Sequence, residues 1–298
     1  MTFAMLPMLT RRRALLAAGT AVFAIVVAVG AVTVQNRRAS SPGAARGSIG
    51  GLTGGDFHSL VADPSTAGRV FVGGHQAVSV SSDGGTSWSE VGALANVDAM
   101  GWAFNGGGEV WIGGHPGIVT SSGNIGSVQT RNGGLPDTDV HALGGTGNTL
   151  YAAGPGIGLL RSTDDGATWT GASSTIGQSF FGRIAVDPDE PNHIVAADPG
   201  NGVFASVDGG VTWKQLTATP ASWVSSPDGL DTLYASGVQE ATRSTDGGTT
   251  WSPVLLPETA TMVEADPTTP RHLYAGARDG ERVRVWSSVD NGSTWQAR

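Results

Sequence analysis

One eight-residue pattern governs what this chain can fold into. Ser-x-Asp-x-Gly-x-x-Trp occurs five times, as Ser81–Trp88, Ser162–Trp169, Ser206–Trp213, Ser244–Trp251 and Ser288–Trp295. The tryptophans are 81, 44, 38 and 44 residues apart, so the first interval is about two periods long. A degenerate copy is therefore expected between Trp88 and Trp169, and Ser122, Asn124, Gly126 and Gln129 occupy the four signature positions there. Six units of roughly 40 residues then fill Asp56 to Arg298, a period in the range of propeller blades.

The sixth unit displays the internal order: Val263-Glu264-Ala265-Asp266-Pro267, a turn to Arg271, His272-Leu273-Tyr274-Ala275-Gly276, a short strand into the box, and a last strand from Trp295. Short β-rich runs bounded by turn residues read as strands A to D. Asp63-Pro64, Asp187-Pro188, Pro227-Asp228 and Asp266-Pro267 mark the A–B turn, where Pro fixes φ and Asp accepts turn amides. In the box itself, the Asp carboxylate suits backbone N–H groups of its own hairpin, Gly permits positive φ, and Trp packs between sheets. The box is thus a folding staple rather than a catalytic Ser–Asp pair. With 46 glycines, 9 tryptophans and only 14% charged residues, the fold class expected is all-β, a six-bladed β-propeller of four-stranded antiparallel blades preceded by one N-terminal hydrophobic helix. Few residues follow Trp295, so its D strand is short, which raises exchange of strands between the first and last blades as a way of closing the ring.

Ala14 to Val34 is a run of 21 uncharged residues. As a helix it spans roughly 31 Å, about the thickness of a bilayer core. The preceding Arg11-Arg12-Arg13 should stay on the cytoplasmic side, which puts the rest of the chain outside the cytoplasm. Two readings stand for residues 1–34: a cleaved twin-arginine-like signal peptide, with Ala28-Val29-Gly30 as small residues for a peptidase, or a retained transmembrane anchor. Residues 35–55 read as a flexible linker, and residues 56–298 as the propeller.

Charge and composition exclude several classes. The first 46 residues hold six arginines and no acid, leaving 11 basic against 25 acidic side chains in the remainder. So acidic a domain repels phosphate backbones, and nucleic acid is not an expected partner. With no cysteine, disulfides, thiolate metal sites and lipoprotein acylation are excluded.

The boxes resemble those of the bacterial neuraminidase repeat, or Asp-box, family, which includes sialidases, sortilin-like receptors, xyloglucan-cleaving hydrolases and photosystem II assembly factors. More narrowly, Phe57-His58-Ser59-Leu60, Asp98-Ala99-Met100-Gly101-Trp102, Gly114-His115-Pro116-Gly117 and Asp139-Val140-His141-Ala142-Leu143 look like a bacterial group of glycosyl-hydrolase-like Asp-box proteins. The resemblance implies the propeller fold and a carbohydrate-directed activity. A typical sialidase is not expected, because that family uses an arginine triad and a tyrosine nucleophile. Tyr151, Tyr234 and Tyr274 share one strand-B position with Phe71 and Trp111 and read as packing residues. Phe181-Gly182-Arg183-Ile184 is similar only in part to the sialidase Phe-Arg-Ile-Pro motif, since Gly182 interrupts it and no Pro follows.

In a propeller the D–A and B–C connections share one face, whereas the boxes, between C and D, lie on the other. Asp56, His58, Asp98, Asp139 and His141 stand at matching starts of strand A in blades 1 to 3, and His75 and His115 at matching ends of strand B in blades 1 and 2. Asp56, Asp98, Asp139, His58 and His141 are the candidates for chemistry, and His58, His75, His115 and His141 for a divalent metal, because converging imidazoles and carboxylates suit either task. The competing reading is that each histidine merely caps a strand or satisfies a carbonyl. His193 and His272 fall on the opposite face and read as surface residues. Two functions stay open: an exported, glycosyl-hydrolase-like protein acting on an extracytoplasmic glycan at the channel face of blades 1 to 3, or a non-catalytic propeller that binds a glycan or cell-envelope protein as an assembly or adhesion module. Cleavage would require two carboxylates separated by roughly 5 to 9.5 Å.

Overall fold

The computed structural model describes residues 49–105, 108–122, 124–173, 176–238 and 240–298. The hydrophobic helix expected at residues 14–34 and the start of the linker lie outside the described residues. Among the described residues no helix is long and apolar enough to cross a membrane.

Six sheets follow one another along the chain, four of them pairing four antiparallel strands in sequence order, while those of blades 3 and 6 each gain one further strand. Their innermost strands begin at Ser59, Gly101, Ala142, Ala185, Trp223 and Met262. The apolar cores lie between neighbouring blades. One cluster joins Tyr151, Leu159 and Ala153 of blade 3 to Ile194, Ala196 and Phe204 of blade 4, with Phe180 and Trp213 completing it. The Trp213 ring meets Phe180 edge-on at 5.1 Å, the arrangement that aromatic quadrupoles favour. Tyr151, Tyr234 and Tyr274 are all fully buried in such seams, as their repeat position predicts.

Each of the five boxes ties its hairpin in the same way. In blade 4, the Ser206 hydroxyl donates to Asp208 Oδ1 at 2.7 Å and accepts the Gly210 amide at 2.8 Å. Asp208 then accepts the Thr212 amide at 2.8 Å and the Thr212 hydroxyl at 2.6 Å. Gly210 has φ of 94°, which a residue with a Cβ rarely adopts. These bonds favour the ionised carboxylate, and hold Asp83, Asp208, Asp246 and Asp290 down at about 2.

The degenerate box of blade 2 lies one residue earlier than its spacing suggests. Ser121 pairs with Val110 just as Ser81 pairs with Val70. Ser121 is buried and donates to the Ser127 carbonyl at 2.7 Å. Ile125, with φ of 44°, takes the glycine position, and Val128 packs where a tryptophan would. Since a one-residue slip turns every side chain to the other face of a strand, the buried serine decides the register.

Ring closure also corrects the expected linker. Ile49–Leu52 is a strand paired with Arg282–Ser288 of blade 6, while Gln296–Ala297 pairs with the other half of the same strand. The last blade therefore takes its outer edge from both ends of the described propeller, and Ile49–Leu52, which the sequence reads as linker, is a strand of it. Gly51 sits so close to Val72, Ser79 and Trp88 that a Cβ would not fit.

Side chains from the inner strands fill the ring axis. Trp102 and Trp223 are fully buried, their indole N–H groups donating to the Ser59 hydroxyl and to Glu264 Oε2. Glu264 Oε1 meets Arg183 at 3.0 Å and the Ala62 amide at 3.3 Å. Burial pushes the Glu264 carboxyl up to about 7 against the pull of Arg183 and these hydrogen bonds.

Two outcomes follow from these contacts. Ser206→Ala removes the acceptor of the buried Gly210 amide and should lower the unfolding free energy by about 1–3 kcal/mol in urea titrations. For Glu264, the folded chain holds a proton that the unfolded chain has lost between pH 4.5 and about 7. Stability should thus fall by on the order of 3 kcal/mol as pH rises through that window. Glu264→Gln should flatten the slope, and an unchanged slope would assign it to other groups.

Candidate functional site

The site is assembled by backbone contacts between adjacent blades. The Ala99 amide of blade 2 donates to the Gly74 carbonyl of blade 1, and the Val140 amide of blade 3 to the Gly114 carbonyl of blade 2. Gly74, Gly114 and Gly154 end strand B in blades 1 to 3, and each lies against the backbone carbonyl of Asp56, Asp98 or Asp139 with no room for a Cβ. That repeated close approach lifts the three aspartates onto one rim, beside the histidines that follow the first two glycines.

All seven candidates therefore lie on one face, and Asp98 is their hub. Its carboxylate is nearly buried, with 3% of the side chain exposed. Oδ1 accepts from His58 Nδ1 at 2.8 Å, and Oδ2 accepts from His115 Nδ1 at 2.9 Å, with His75 Nδ1 at 3.4 Å from the same oxygen. Burial pushes the Asp98 carboxyl up, but the bonds and charges of His58, His115 and His75 outweigh it and hold it below the ordinary value. Burial likewise disfavours charge on His115, yet Asp98 and Asp139 prevail and raise its imidazole.

Blade 3 supplies the second focus. His115 Nε2 lies 2.5 Å and His141 Nε2 2.7 Å from Asp139 Oδ1. Neither approach is aligned as a hydrogen bond, and Oδ1 is buried without a hydrogen-bond partner. Asp56 stands apart: it is half-exposed, 3.1 Å from Arg278, and 3.9 Å from His58 Nε2. His115, Asp139 and His141 are the described residues whose ligand-type atoms converge closely enough to hold one metal ion. His58 and His75, read from sequence as ligands, turn to Asp98 instead.

Phe181 was the residue sequence reasoning missed at this face. It precedes the two-residue strand Gly182–Arg183, which runs parallel to the inner strand of blade 3. Its ring meets His58 at 5.8 Å and His141 at 6.0 Å, both edge-on, and so forms an apolar floor between the two foci. The neighbouring Arg183 points to Glu264 in the ring axis, not to this face. His193 and His272 stand with the aspartates of the A–B turns, Asp187 and Asp266, away from the cluster. A cavity of about 200 Å³ opens on the A–B turn side, lined by Pro64, Trp102, Arg183, Pro188 and Pro227. Its arginine is already engaged by Glu264, and none of the seven candidates reaches it.

No protein-family model matches the sequence, and no curated protein does. Among solved structures the chain is similar to a GH74 xyloglucanase from Xanthomonas campestris, with a TM-score of 0.58 at 16% identity over 84% of this chain and 46% of that one. YCF48 bound to a D1 peptide aligns with a TM-score of 0.52 at 18% identity, over 83% of this chain and 82% of that one. A chain of a nidogen/laminin complex aligns with a TM-score of 0.62 at 12% identity, over 77% and 93%. The chain spans less than half the length of the xyloglucanase it matches. These likenesses establish the six-bladed propeller fold.

Because the folded-state pKa of Asp98 is lowered from 3.8, its contribution to stability is present above that value and is lost as pH falls through the folded one. Asp98→Asn should be less stable than the parent chain at pH 6 by about 1–3 kcal/mol, the difference closing below pH 3.8. A difference that persisted into acid would mean that the charge of Asp98 is not what stabilises the rim.

Proposed function

We propose that the protein is an exported, carbohydrate-directed propeller that binds an extracytoplasmic glycan over the channel face of blades 1 to 3. The observation that carries this reading is the half-buried Phe181 ring, which meets His58 and His141 edge-on within the imidazole and carboxylate rim. A sugar has apolar C–H faces and a rim of hydroxyl groups, and an aromatic floor with polar groups at its edge complements both. The similarity to a GH74 xyloglucanase agrees with a glycan ligand. Export is supported by the apolar run from Ala14 to Val34 behind three arginines.

Recognition is favoured over two-carboxylate cleavage by the same geometry. Both oxygens of Asp98 are occupied, the His115 ring stands between Asp98 and Asp139, and Asp56 is paired with Arg278. No two of these carboxylates face each other across an open gap of the kind that glycosidic cleavage needs.

Labelled full-length protein applied to an array of bacterial and plant glycans tests the proposal. Retention of a defined subset is expected, reduced at least tenfold by Phe181→Ala and by His58→Ala, with no reducing ends released. Reducing-end release that disappears in Asp139→Asn would replace recognition by hydrolysis. Retention of no glycan would favour the protein-binding alternative, which the D1-peptide complex of YCF48 illustrates.

A further inference from the structure

Three donor atoms from two adjacent blades converge beside Phe181. His115 Nε2 comes from the end of strand B of blade 2, and Asp139 Oδ1 and His141 Nε2 from the start of strand A of blade 3. All three lie within 4.8 Å of one another. The two imidazole rings stand edge-on, 5.5 Å between centroids, and both Nε2 atoms lie close to one carboxylate oxygen.

Hydrogen bonding does not account for this arrangement. Asp139 Oδ1 is buried and has no hydrogen-bond partner, although two ring nitrogens stand within 2.7 Å of it. A buried acceptor without an aligned donor is costly. A cation among the three atoms satisfies all of them together. The surrounding charge agrees, since the chain is net −8.

We propose that His115, Asp139 and His141 form a binding site for one first-row divalent transition ion of the Zn²⁺ type. Two imidazoles and one carboxylate are a borderline donor set that suits such ions, whereas Mg²⁺ and Ca²⁺ favour oxygen ligands alone. Three protein donors leave a coordination position open, unlike the closed four-ligand sets of structural zinc. That position adjoins Phe181, where a hydroxyl or carboxylate of a bound ligand could complete the shell.

Asp98 is the positioning residue of this site. By accepting from His115 Nδ1 at 2.9 Å it places the ring proton on Nδ1 and leaves the Nε2 lone pair for the ion. His58 and His75 hold Asp98 from the other side and are not ligands. The sequence pattern alone, with four histidines on one face, does not separate ligands from supports. The convergence of the His115 and His141 Nε2 atoms on Asp139 Oδ1 does.

The test uses the full chain, purified without a histidine tag, stripped with chelator and titrated with ZnCl₂, in the absence of glycan. One equivalent of Zn²⁺ is expected, with a rise in thermal midpoint as metal is added. Asp139→Asn and His141→Ala should each weaken binding at least tenfold. Asp98→Asn should retain the stoichiometry but weaken binding by roughly 10- to 100-fold, as loss of an outer-shell carboxylate does. His193→Ala and His272→Ala, on the opposite face, should leave the affinity unchanged. If a variant fails to fold, Co²⁺ substitution of the parent chain decides instead: d–d absorption of a nitrogen-ligated ion is expected, and its absence at saturation overturns the site. Equal Zn²⁺ affinity in the parent, Asp139→Asn and His141→Ala chains also overturns it. A chain that binds Zn²⁺ but retains no glycan removes the carbohydrate reading and leaves the metal site standing.

Discussion

The serine hydroxyl of each box is the point on which the fold turns. It sits at the end of strand C, buried, and simultaneously donates to the box aspartate and accepts the glycine amide four residues on. Those bonds consume polar groups that would otherwise be buried unpaired at a reversal between two strands. They also aim the tryptophan back into the seam between blades, where most of the apolar surface is buried. Local hydrogen bonding and non-local packing thus reinforce each other once per blade, and a sequence that repeats the first obtains the second.

This is why the architecture was legible in the sequence and the site only partly so. Five full boxes name the fold, and strand order in a propeller sorts residues onto faces, so the seven charged candidates could be gathered on one rim without coordinates. The degenerate box was placed one residue late because Ser121 and Ser122 are chemically alike, and only strand pairing reveals which of them faces inward. Asp98 could not be singled out from Asp56 and Asp139, since the three occupy equivalent positions and differ only in which histidines reach them. The sequence assigns no role to Phe181 or Glu264 for a related reason. Each acts on residues of other blades, and such contacts leave no periodic trace in the chain.

The two ends of the ring axis have different chemistry. Toward the A–B turns, prolines and Arg183, whose guanidinium is paired with Glu264, line a cavity. Toward the D–A connections, four imidazoles share three carboxylates on one rim. Between the two, the inner-strand side chains Trp102 and Trp223 are fully buried in one core cluster.

The composite outer edge of blade 6 has a kinetic consequence. Ile49–Leu52 and Gln296–Ala297 lie against the same strand although almost the whole propeller separates them along the chain. Contacts between such distant segments carry the largest loop-closure entropy and so form late. Blades 1 to 5 can mature as an open arc with a raw edge at each end, and the annulus is sealed only when the two termini meet. Slow opening at that seam, rather than the strength of any one blade, would then set how long the finished ring survives.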